Sequence, residues 1–129
     1  MPLNVCLIGS MRNYDHILNL AKDLQDAGHR VSVPVDLSER GYSDRTKMKA
    51  EFMKNMFESI RSCDSILVVN DIDRGGYSGY IGPNTFLQLG LGFSLGKTLY
   101  CLENWDKRLP YNEELEAMNI RQLDIKLPH

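Results

Sequence analysis

Apolar residues gather in four short runs, and the longer stretches between them carry apolar positions at helical spacing. Asn4 to Gly9 (NVCLIG) is almost continuously apolar and ends on glycine, the pattern of a strand covered on both faces. Ile17, Leu20, Ala21 and Leu24 share one face of a helix expected from Tyr14 to Ala27, with Gly28 as its stop. Arg30 to Val35 (RVSVPV) alternates, but Pro34 has no N–H for a ladder and marks an edge or a strand end. Met53, Met56, Phe57 and Ile60 recur at helical spacing between Arg45 and Ser62. Ser65 to Val69 (SILVV) reads as a buried strand and Asn84 to Leu95 as a helix closed by Gly96. Thr98 to Leu102 (TLYCL) reads as a fourth strand and Asn112 to Asn119 as a short last helix.

The order β-α-β-α-β-α-β-α predicts a mostly parallel sheet of about four to five strands with helices on both faces, a three-layer α/β sandwich of Rossmann-like or flavodoxin-like type. Residues 1–129 are read as one such domain, since roughly 100 to 150 residues fill a single core. In this architecture ligands sit beyond the carboxyl ends of the strands, at the point where the strand order reverses. Two loops are expected to meet there, Gly9 to Asn13 and the glycine-bearing stretch from Asn70 to Pro83.

Composition narrows the partners. The chain is 43% hydrophobic and 25% charged, which suits a packed domain, and its net charge of -2 leaves no basic excess for general nucleic-acid binding. No apolar run approaches the roughly 20 residues of a membrane span, and no basic leader or cleavage site opens the sequence, so a cytoplasmic protein without a membrane partner is expected. Cys6, Cys63 and Cys101 are read as buried thiols. They show no metal-ligand spacing with His16, His29 or His129, and neither a metal nor a cofactor is expected.

Candidate chemistry lies at the two loops. Gly9-Ser10-Met11-Arg12 offers backbone N–H groups, a hydroxyl and a guanidinium where a strand enters a helix, a place that favours an anion. It reads either as a phosphate site or as a tight turn with a solvated Arg12, and its spacing matches neither a dinucleotide nor a triphosphate loop. Tyr80, Gly82, Asn84 and Thr85 face the same expected crevice, where Asn84 and Thr85 serve either a ligand or the helix end as caps. Asp36, Asp71 and Asp73 stand near strand ends, able to orient a sugar hydroxyl or move a proton if desolvated, or else simply solvated. Tyr77 and Tyr80 can stack on a base. Gly90 and Gly92 inside a helix suggest close packing. Met48, Met53 and Met56 read as core or as a subunit contact, and with Phe93 they suggest a homodimer or higher homo-oligomer.

These segments carry a resemblance. Cys63 to Tyr100 (CDSILVVNDIDRGGYSGYIGPNTFLQLGLGFSLGKTLY) resembles the nucleoside 2-deoxyribosyltransferase superfamily, in which a strand, a glycine-bearing loop and a G-T-x-x-E-x-G helix start precede a Gly-Lys turn. Gly-Ser-Met-Arg at 9 to 12 is similar to the Gly-Ser-Ile-Arg loop of the related deoxynucleoside 5′-monophosphate N-hydrolases. The resemblance covers about half the chain. It implies a Rossmann-like domain that takes a nucleoside or nucleotide as its small-molecule partner and cleaves or transfers at the N-glycosidic bond. Carried across, Ser10 and Arg12 would meet a 5′-phosphate or sugar, and Asn84 and Thr85 would lie beside the sugar. The position of the family's catalytic glutamate, three after Thr85 and two before Gly90, is Gln88. A carboxamide keeps the shape of glutamate and loses its charge, so binding is expected to survive where turnover does not, unless Asp71 or Asp73 supplies the carboxylate.

Overall fold

The computed structural model describes residues 2–123, so His129 lies outside the described residues. The elements are β1 (Asn4–Ile8), a 3-10 turn (Met11–Asn13), α1 (Tyr14–Asp26), β2 (Arg30–Ser32), α2 (Arg45–Ser62), β3 (Ser65–Val68), α3 (Pro83–Ser94), β4 (Thr98–Cys101), α4 (Asn112–Ala117) and β5 (Arg121–Gln122). The sheet is parallel throughout, in the order β2-β1-β3-β4-β5. The connection leaves β1 toward one edge and β3 toward the other, so the order reverses between these two strands.

The strand pleat divides the core. Val5 and Leu7 of β1 pack with Leu67 and Val69 against Ile17, Leu20, Ala21 and Leu24 of α1. Cys6 and Ile8 point the other way and join Ile66 and Val68 against Met56 and Ile60 of α2 and Leu89 of α3. Successive residues of one short run therefore serve both layers, which is why β1 and β3 are apolar without alternation. All three cysteines are buried and unpaired, as expected.

Several boundaries differ from the sequence expectation. The third helix begins at Pro83, not Asn84: Gly82 is its N-cap and the proline, which has no N–H to lose, takes the first helical position. Neither Asn84 nor Thr85 is therefore the cap. At the other end Gly96, with φ of +73°, donates to the Phe93 carbonyl while Lys97 donates to that of Gly92, closing the helix with a left-handed glycine. A methyl group at Gly92 would overlap Ile66 of β3, so this glycine does allow close packing on the sheet. Gly90 does not, since a Cβ there meets open space. Of the methionine stripe, only Met56 is core. β5 was not anticipated, for Arg121 and Gln122 are both exposed and carry no apolar signal. No helix among the described residues is long and apolar enough to cross a membrane.

Candidate functional site

The two central strands β1 and β3, between which the order reverses, stay in close contact just beyond their carboxyl ends. Val69 donates to the Ile8 carbonyl at 2.8 Å, and a Cβ at Gly9 would stand 2.8 Å from the Val69 carbonyl oxygen. Only a residue without a side chain lets the backbones meet in this way. The chain then turns at Ser10, whose Oγ accepts the Arg12 N–H at 3.3 Å, leaving the hydroxyl proton free to donate. Between this turn and the start of α3 lies a cavity of about 510 Å³, and Gly9, Ser10, Arg12, Tyr80, Gly82, Asn84 and Thr85 all line it. The two loops read from the sequence thus share one crevice.

The long loop from Asn70 to Pro83 is fixed by the segment that follows β4. Asn70 is fully buried; its amide donates to the carbonyls of Gly79 at 3.1 Å and Glu103 at 2.8 Å, and its oxygen accepts the Glu103 N–H at 3.0 Å. Gly79, with φ of +56°, lies against the Asn104 backbone so closely that a Cβ would overlap the carbonyl oxygen. Arg108 donates to the Gly76 carbonyl at 2.7 Å while pairing with Asp106 at 2.7 Å, and that guanidinium holds the Asp106 carboxyl down to about 2. The Tyr111 hydroxyl donates to the Ile81 carbonyl and its ring stacks on Phe86 of α3. Glycine content alone would suggest a mobile loop, but these tethers make it a wall.

A second cavity of about 390 Å³ adjoins the first and shares Met11, Arg12, Lys49, Phe52 and Asn84 with it. Its further lining is Asp36, Leu37, Ser38 and Met48, an apolar slot with one acid. The Asp36 carboxylate accepts the Ser38 N–H at 2.9 Å, which holds its pKa below the usual carboxylate value. Met48, expected in the core or at a subunit contact, faces this slot instead.

Asp71 and Asp73 are not brought to the crevice. They lie in a separate hollow of about 310 Å³ with Ser78 and Glu103, and Asp71 is engaged by His16 at 2.6 Å and by the Asn13 amide at 3.3 Å. The chain beyond β3 brings Asp71 to His16, in the first turn of α1. Gln88 is buried, 3% exposed, on the sheet-facing side of α3 one turn beyond Thr85, and it is not among the cavity-lining residues. Its carboxamide makes no hydrogen bond to another described residue.

Four residues of the crevice were not anticipated: Arg45, Lys49 and Phe52 from α2 and Arg74 from the long loop. The first three continue the stripe of Met56 and Ile60 toward the start of α2, at successive spacings of four, three, four and four, so the face they share was visible in the sequence although its charged end carries no apolar signal. Arg74 sits in an irregular loop where no pattern could single it out. With Arg12, these make four cations on the cavity and no acid. The described residues hold no cluster able to bind a metal ion.

No protein-family model matches the chain, and no curated protein does. Among solved structures the fold is similar to that of the Clostridium botulinum CMP N-glycosidase BcmB, with a TM-score of 0.56 and 15% identity, over 92% of this chain and 86% of that one. At this identity the likeness establishes the fold, an α/β Rossmann-like sandwich, and leaves function to be argued from the site.

Proposed function

We propose that the crevice binds a nucleoside 5′-monophosphate and that the chain, with Gln88 at the position of the expected glutamate, holds this ligand with little or no cleavage of its N-glycosidic bond. The observation that carries the reading is the convergence of the Ser10 turn, Arg12 and the start of α3 on one cavity at the strand-order reversal. Arg12 and the Ser10 hydroxyl suit a phosphate, Asn84 and Thr85 a sugar, and the slot lined by Phe52, Met48 and Leu37 a base. The likeness to a CMP N-glycosidase supports the same ligand class. Turnover is the weaker half of that likeness, because Asp71 and Asp73 lie in a different hollow and Asp36 is the acid nearest the ligand space.

Arg12→Ala is expected to weaken a nucleoside 5′-monophosphate by roughly 10- to 100-fold, the value of a charge-assisted hydrogen bond, and the matching nucleoside by less than about threefold. Calorimetric titration of both ligands decides the matter, and equal losses would show that Arg12 does not read the phosphate.

The homo-oligomer expectation finds support on α3. Leu87 and Phe93 are half exposed, Gly90 opens onto empty space, and no charged residue lies between Pro83 and Ser94. An uncharged face suits a second copy of this chain, because a two-fold axis sets like against like. Leu87→Lys should then shift the chain toward monomer in sedimentation velocity, and an unchanged distribution would remove α3 from the interface.

A further inference from the structure

The crevice holds more positive charge than a monophosphate needs. Arg12, Arg45, Lys49 and Arg74 line the same cavity of about 510 Å³, and none of the four forms an ion pair among the described residues. With these four of the 15 basic residues set here, eleven remain against 17 acidic ones elsewhere, so the cationic crevice stands on an otherwise strongly acidic chain. Two neighbouring acids are turned to the backbone: Asp36 in the adjoining slot accepts the Ser38 N–H, and Asp44, beside Arg45 in the chain, caps α2 by accepting from the Thr46 and Lys47 N–H groups. Arg45 and Lys49 are four residues apart on α2, where like charges repel and mildly destabilise a helix unless an anion lies between them.

The cations also come from three separate walls. Arg12 follows the turn after β1, Arg45 and Lys49 belong to the first turns of α2, and Arg74 projects from the long loop with its guanidinium 5.8 Å from the Tyr80 ring centre. One phosphoryl group carries a charge of about -2 and is already matched by Arg12 with one further cation. From this surplus and its spread over three walls we infer that the crevice is built for two linked phosphoryl groups, a nucleoside 5′-diphosphate, with Arg45 and Lys49 as the second anion subsite. The inference rests on the nucleotide reading above and extends it.

The test is calorimetric titration of the full chain with CMP, CDP, AMP and ADP and with inorganic pyrophosphate. Each diphosphate should bind at least about tenfold tighter than its monophosphate, the factor one charge-assisted contact supplies. In the double variant Arg45→Ala, Lys49→Ala that ratio should fall below about threefold. Equal affinity for mono- and diphosphates in the wild type, or a ratio untouched in the double variant, overturns the inference and leaves the monophosphate reading standing. Pyrophosphate separates the two readings from the other side. If it binds, loses affinity in the double variant and no nucleotide binds, the paired-anion site stands and the nucleotide reading falls; if none of the five ligands binds, both fall.

Discussion

Replacing Gln88 by glutamate is expected to raise release of free base from nucleoside 5′-monophosphates at least about 100-fold above the wild type, the lower end of what one preorganised electrostatic group contributes. The two side chains are nearly isosteric, so the change tests charge at a fixed shape. Gln88 is only 3% exposed, and a carboxyl placed there is desolvated, which raises its pKa above the usual value for glutamate. Two pH dependences of opposite sense follow. The ionised form, the one able to attack or to stabilise a cationic sugar, increases as pH rises, so turnover climbs through the raised pKa. Stability moves the other way, because an acid whose folded pKa lies above its unfolded pKa binds more protons when folded, and the variant loses stability as pH rises. Chromatographic detection of free base between pH 5 and pH 9, beside thermal unfolding of the same samples, reads both. Base release by Gln88→Glu no greater than by Gln88→Ala would remove position 88 from the reaction. Robust turnover by the wild type that survives Gln88→Ala would overturn the binding-only reading and make Asp36, on the adjoining slot, the carboxylate to replace next.

How much of this was legible depends on whether a residue's environment is set by its neighbours in sequence. The runs NVCLIG and SILVV are apolar at successive positions because both faces of β1 and β3 are covered, and that signal is local. The ends of those strands and the order of elements then place Ser10 and Asn84 at one crevice, which the structure bears out. The carboxylates were harder. A loop aspartate three residues past a strand is equally compatible with the crevice and with the opposite side, and what engages Asp71 away from the crevice is His16, a polar partner 2.6 Å away from a different element. The cationic wall of α2 failed for another reason: Arg45, Lys49 and Phe52 lie on the same stripe as Met56 and Ile60, and a search for apolar core positions stops where that stripe turns charged at the start of the helix. β5 had no signal at all, since its two exposed polar residues are held by pairing with Tyr100 and Cys101 and by the Gln122 amide donating to the Leu102 carbonyl at 3.1 Å, contacts that no local pattern announces.

Trp105 is the clearest case of a core residue without a sequence pattern. It sits in Glu103-Asn104-Trp105-Asp106-Lys107, a polar stretch after β4 with no period, yet it is only 6% exposed and belongs to the core cluster of α2, α3 and β3. Its indole N–H donates to Asn112 at 2.8 Å, Lys107 lies 3.9 Å over its ring, and its backbone adjoins Gly79 of the long loop. Trp105→Ala is therefore expected to cost about 3–5 kcal/mol through lost burial and the cavity left behind. For a domain of this length that is a fall in Tm on the order of 10–20 °C. The effect should extend to the site, because the segment around Trp105 carries the tethers from Asn70, Arg108 and Tyr111 that hold one wall of the crevice. Nucleotide affinity should drop with stability in Trp105→Ala, and Trp105→Phe, which keeps most of the ring volume and loses the N–H, should recover most of both. Scanning calorimetry with and without nucleotide measures the pair. A Tm loss below about 4 °C would show that the segment after β4 lies outside the cooperative core, and a large Tm loss with unchanged affinity would show that the loop from Asn70 to Pro83 holds its shape without it.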